Sequence, residues 1–109
     1  MANIRLNAEA ITDWESFHET FRRAMGFPGF YGMNMDAWID CMSYLDYADA
    51  GMTRFNLDAT ETLNLEIAEI ESLNARCPEI VDALVNCSAL VNKRCLAVGR
   101  PPILALVFL

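Results

Sequence analysis

Residues 30–42 read FYGMNMDAWIDCM and are the most informative stretch of the chain. An aromatic pair followed by glycine is typical of a loop, and Asn34 is a favourable N-cap for a helix that begins directly after it. Asp36 and Asp40 are four residues apart, so they share one face of that helix. We expect this face to point outward, because the apolar residues lie on the opposite side of the helix: Met35, Trp38, Ile39, Met42 and Leu45.

The aspartate pair has two interpretations. Both residues lie in the first two turns of the predicted helix, where a negative charge compensates the helix dipole. Like charges at this spacing nevertheless repel by about 0.2–0.5 kcal/mol. The repulsion mildly favours a functional role for Asp36 and Asp40, and both interpretations stay open from the residues alone.

Upstream of this stretch, the alternation in residues 3–7 (NIRLN) predicts a short strand. Thr12 and Glu15 form a T-x-x-E pattern, which predicts a capping box at the start of a first helix. That helix is expected to end at Gly26. Its apolar stripe is Trp14, Phe17, Phe21 and Met25. The loop over 26–32 contains three aromatics that either tuck under the loop or face a partner.

Downstream, residues 47–62 are rich in turn-forming residues and are predicted to be irregular. The alternation in 63–67 predicts a second strand, and 68–75 a short helix. Pro78 is placed well for the first turn of a long helix that stops at Gly99. Its apolar stripe is Ile80, Leu84, Cys87, Val91, Cys95 and Val98.

The C-terminal residues 103–109 (ILALVFL) are apolar throughout. Such a run is typical of a central strand that is covered on both faces. Helices separate all three predicted strands, which favours a small parallel sheet. We therefore predict an α/β fold with three parallel strands, the last of them in the middle, and helices packed around the sheet.

The 109 residues are enough for one domain, and a hydrophobic content of 54% excludes disorder. The longest apolar run has strand length, so no membrane helix is expected. The N-terminus lacks the pattern of a secretory signal, which favours a cytoplasmic protein.

The charge is −7 overall and is concentrated in the middle of the chain. Residues 24–75 carry nine acids and only Arg54, whereas residues 76–109 carry four bases and two acids. This balance of charges argues against nucleic-acid binding and favours a basic protein partner.

Four cysteines without a C-x-x-C pair and a single histidine predict free thiols, no metal site and no cofactor. An enzyme would have to use Cys41 with His18, which lacks an orienting third group, or the carboxylates of Asp36 and Asp40, which lack a cleft. We therefore predict a binding protein and not an enzyme.

Residues 30–42 closely resemble the signature of the barstar family, intracellular inhibitors of a secreted bacterial ribonuclease. The shared features are the aromatic pair and glycine, then Asn, Asp-Ala and Asp-Cys at fixed spacing. Residues 16–21 resemble the family's first helix and 63–67 its second strand, so the resemblance covers most of the chain, and 1–109 are predicted to form a single barstar-like domain. The segment at about 47–62 is longer than in barstar and is interpreted as an insertion.

The resemblance implies that the second helix and the loop before it enter the active site of a ribonuclease. In the family, the aspartate that matches Asp40 takes the place of a substrate phosphate. The family residue that matches Asp36 contacts another basic group. A carboxylate suits this role because arginine binds carboxylate and phosphate alike. The remaining partner-binding positions implied are Phe30, Tyr31, Gly32, Asn34, Met35, Ile39 and Ser43.

The chain departs from the family at two places. Ile39 replaces the tryptophan that precedes the key aspartate, and Trp38, one place earlier, is expected to point into the core. Arg94, beside Lys93, stands where the last helix of barstar contributes a glutamate. The leading hypothesis is an inhibitor or immunity protein against a basic ribonuclease or other toxin. The alternative is an interaction or regulatory protein of the same fold with a non-nuclease partner.

Overall fold

The computed structural model describes residues 2–109, with the side chain of Ala48 left out. Three strands and four helices follow one another in the order β1, α1, α2, β2, α3, α4, β3, with short 3-10 turns at Ala8–Ala10 and Ala48–Ala50. The strands are β1 (Ala2–Asn7), β2 (Leu63–Ala68) and β3 (Leu104–Phe108). The helices are α1 (Trp14–Met25), α2 (Met35–Met42), α3 (Ile70–Arg76) and α4 (Pro78–Ala97).

The three strands form one parallel sheet with the helices packed around it, which confirms the predicted fold class. The strand order is β1-β2-β3, so the prediction that the last strand lies in the middle is wrong. Leu63 of β2 pairs with Ala2 on one side and with Leu104 on the other. β2 is therefore the central strand, although its sequence alternates.

The edge position of β3 is compatible with its apolar sequence because α4 covers part of its outer side. The side chain of Asn92 on α4 accepts hydrogen bonds from the amides of Ile103 (2.9 Å) and Leu104 (3.0 Å). Its amide group donates to the carbonyl oxygen of Leu104 at 3.0 Å. One asparagine thus takes the place of a neighbouring strand at this end of the edge, where unpaired backbone groups would otherwise be exposed.

The core lies against one face of the sheet. The central strand buries Leu63, Leu65 and Ile67 completely, and its partners on either side contribute buried leucines from the same face. The alternating positions, Asn64 and Glu66, are only half-buried. The expectation that β3 is covered on both faces is also wrong, because its outward positions remain partly exposed.

The first helix begins one residue later than predicted. Its N-cap is Asp13, whose carboxylate accepts from the Ser16 amide at 2.8 Å, while the Ser16 hydroxyl oxygen accepts from the Asp13 amide at 3.0 Å. The capping box is therefore Asp13 with Ser16 and not Thr12 with Glu15. Aspartate is the stronger N-cap, and the helix starts where its carboxylate satisfies a free amide.

The segment 47–62 is irregular as predicted, apart from its single 3-10 turn, and is tied to the body of the protein. Leu57 is buried, and its amide donates to the Leu45 carbonyl at 2.9 Å. Arg54 donates from its backbone amide to Met25 and from its side chain to Ala24. The segment therefore packs across the ends of α1 and α2.

The long helix ends at Ala97, and Gly99 follows with a left-handed φ of 78°. The predicted stripe is buried at four positions, whereas Cys87 is half-buried and Val98, beyond the helix end, is exposed. Ser88 is buried instead. All four cysteines are free thiols, as predicted.

Candidate functional site

Helix α2 is fixed by its cap and by one large core side chain. The Asn34 side chain accepts from the Ala37 amide at 2.8 Å and donates to the Gly32 carbonyl at 3.2 Å. Trp38 is fully buried and lies edge-on to Phe21 of α1, with ring centroids 5.7 Å apart. The expectation that Trp38 points into the core is confirmed, and the orientation of α2 follows from it.

With Trp38 inward, both aspartates of α2 are exposed. Asp40 is not free, because its carboxylate accepts from the Arg94 guanidinium on α4 at 2.8 Å. Each side chain keeps more than half of its surface accessible, 57% for Asp40 and 54% for Arg94. An ion pair this exposed contributes at most about 1 kcal/mol to stability, so a stronger cation could displace it.

The loop before α2 contains both tucked and outward aromatics. Tyr31 is buried against Phe27, with ring centroids 4.7 Å apart, and its hydroxyl lies 2.6 Å from Nδ1 of His18. Phe30 is 76% exposed. Of the predicted partner-binding residues, Tyr31 thus supports the loop from beneath, while Phe30 stands on its surface.

The tip of the loop is tightly built. A Cβ at Gly32 would lie 3.2 Å from the Asn34 side chain and 3.5 Å from the Ala37 Cβ, so this position suits glycine. Met33 has a left-handed φ of 55°, a conformation that is costly for a residue with a side chain. Strain of this kind concentrates at binding loops, because the surrounding contacts must impose it.

The remaining predicted residues lie at different depths. Met35 and Ser43 are half-buried, and Ile39 is buried, with only 7% of its surface exposed. The Ser43 hydroxyl donates to the Ile39 carbonyl at 2.6 Å and lies 3.5 Å from Arg94. The structure therefore brings Ile39, Asp40, Ser43 and Arg94 together, with the loop residues at the other end of α2.

A shallow depression, here called the α2–α4 groove, runs between the two helices. Its walls are formed by Asp36, Ile39, Leu90, Lys93, Arg94 and Ala97. Sequence reasoning did not identify Leu90 or the neighbouring Tyr44, which is 41% exposed. Tyr44 lies beyond the end of α2, so no helical spacing in the sequence indicates that it borders Arg94.

Burial affects the ionisation of both Cys41 and His18. Burial, together with the nearby charge of Asp40, raises the pKa of Cys41 to about 11, so its thiol is protonated at neutral pH. His18 is buried, and desolvation lowers its pKa, which keeps the ring neutral. Within residues 2–109, no three side chains of the metal-binding types cluster closely enough to hold an ion.

The family model described as Barstar (barnase inhibitor) matches residues 1–107. A comparison with curated proteins finds no match. Among the described residues, no helix is both long and apolar enough to cross a membrane. Because the family model covers nearly the whole length, this chain belongs to the barstar family.

Proposed function

We propose that this protein inhibits a basic ribonuclease, or a toxin with a similar cationic site, by inserting α2 and the loop before it into the active site. The family match supports an inhibitor of this kind. The observation that carries the proposal is the position of Asp40 and Asp36 on the exposed face of a helix whose other face is locked by Trp38.

Asp40 is the anchor of the proposed contact. Its carboxylate already accepts a bond from a guanidinium, which is the group that binds a substrate phosphate in a cationic active site. Asp36, one turn closer to the loop, would meet a second cation. Phe30 would pack against the rim, and Gly32, Asn34, Met35, Ile39 and Ser43 would frame the contact, with Tyr31 holding the loop in place.

The test is inhibition of RNA cleavage by barnase together with a measured dissociation constant. Asp40→Ala is expected to weaken binding by several kcal/mol, about a hundredfold or more, and Asp36→Ala by less. Raised salt should slow association, because acidic and basic surfaces steer one another.

The matched control is Asp82→Ala, which removes an exposed helical carboxylate from α4, outside the α2–α4 groove. It should bind like the wild type. If Asp40→Ala also stays within about threefold of the wild type, which is well under 1 kcal/mol, the proposed contact is wrong.

A second candidate function is an interaction protein of the same fold with a non-nuclease partner. It is favoured by the ion pair itself, since Arg94 occupies the carboxylate that a ribonuclease would need. Failure of barnase to bind, alongside tight Asp40-dependent binding of a protein without nuclease activity, would support this alternative.

A further inference from the structure

The two walls of the α2–α4 groove carry opposite charges. Asp36 lines the groove from α2, with Asp40 one turn further along the helix and paired with Arg94, and Lys93 and Arg94 line it from α4. From residue 83 to residue 97, α4 carries no acidic side chain that would offset these two bases. The exposed surface is therefore dipolar, with two negative charges beside two positive ones.

A dipolar surface is complementary to a dipolar partner. A uniformly basic active site would satisfy Asp36 and Asp40 but would place its cations against Lys93 and Arg94. Like charges brought together at an interface cost free energy, so such a partner binds less tightly than one that also offers a carboxylate to α4. The acidic wall alone thus does not define what this protein binds.

Arg94 uses only part of its guanidinium for contacts within the protein. Only its Nη1 is used, for Asp40 at 2.8 Å and for Ser43 at 3.5 Å. Its Nε and Nη2 donate to no protein atom among the described residues. These two nitrogens form the side of the guanidinium fork that binds a carboxylate with two parallel bonds.

Arg94 also borders a second depression, which is lined by Ser43, Tyr44 and Cys95 among others. Because Arg94 is bonded to Asp40, a partner segment that covers Asp40 also comes close to Arg94. A partner that offered it a carboxylate would leave the charges alternating across the interface, with Arg94 shared between its own Asp40 and the incoming group.

We propose that Arg94 is a specificity-determining residue, and that the natural partner places a carboxylate on Arg94 next to the cations that meet Asp36 and Asp40. This rests on the proposed function, because it concerns the same contact. The partner would then have a cationic cleft and an acidic side chain at the part of its rim that covers α4.

The test is a double-mutant cycle with barnase as the probe. Barnase and a series of its variants, each with one rim Lys or Arg replaced by Glu, are titrated against the wild-type chain and against Arg94→Ala. At least one glutamate variant is expected to gain about tenfold or more in affinity for the wild type, relative to its affinity for Arg94→Ala. Arg94→Lys should recover only part of this coupling, because lysine lacks the fork.

The control is Arg5→Ala, which removes one positive charge from the exposed side of β1. It should show no such coupling with any member of the series. Binding that depends on Asp40 but shows no coupling to Arg94 beyond this control overturns the inference and leaves the proposed function intact. Coupling to Arg94 without dependence on Asp40 overturns the proposed contact instead, and absence of binding throughout overturns both.

Discussion

Arg100 joins the irregular segment 47–62 to the end of the sheet. Its Nε donates to the Asp46 carboxylate at 2.7 Å, and its Nη2 donates to the carbonyls of Asp58 (3.0 Å) and Glu61 (2.9 Å). Only 9% of its side chain is exposed, against 26% for Asp46. Replacing it with alanine removes every one of these bonds.

The expected loss of stability in Arg100→Ala depends on how deeply the ion pair with Asp46 is buried. Hydrogen bonds to a charged group are worth about 1.5–3 kcal/mol each, but they are not additive, and water can reach Asp46 once the arginine is gone. Breaking a fully buried pair costs about 3–5 kcal/mol. Because Asp46 keeps some exposure, we expect Arg100→Ala to lower the free energy of unfolding by about 2–4 kcal/mol.

Urea denaturation at neutral pH, followed by tryptophan fluorescence, measures this loss. The matched control is Arg23→Ala, whose side chain is 76% exposed beside Glu19 and whose removal should cost under about 0.5 kcal/mol. A loss below about 1 kcal/mol for Arg100→Ala would show that Arg100 does not hold the segment in place.

The remaining predictions concern single side chains of the core and the loop. Burial lowers the pKa of His18 below its ordinary 6.5, so the unfolded chain binds a proton that the folded chain does not. The free energy of unfolding should therefore fall between about pH 7 and pH 5, and His18→Gln should flatten this part of the profile in urea titrations. Gly32→Ala should cost about 1 kcal/mol in thermal unfolding by displacing the Asn34 cap, whereas Gly29→Ala, with open space around it, should not. Ser88→Ala should raise stability by about 1 kcal/mol in the same assay, because its buried hydroxyl finds no hydrogen-bond partner within residues 2–109; a loss would contradict this.

Local patterns in the sequence predicted much of the fold. The cap at Asn34, the stop at Gly26 and the alternation of 63–67 each depend on neighbouring residues only, so they can be seen without the fold. The exposed face of α2 followed from helical spacing, and the family resemblance supplied the hypothesis that this face binds a ribonuclease. The capping box failed by one residue because Thr12 and Asp13 are both competent caps, and the better one starts the helix.

Tertiary structure decided the features that depend on residues far apart in the chain. The apolar run at 103–109 predicted a central strand, yet the structure places it at an edge, where Asn92 on α4 supplies hydrogen bonds to Ile103 and Leu104 at the start of the strand. Asp40 and Arg94 are separated by 54 positions, and no local pattern indicates that they meet. Periodicity reports which face of an element is apolar, but only the packing of α2 against α4 determines which charges share a surface.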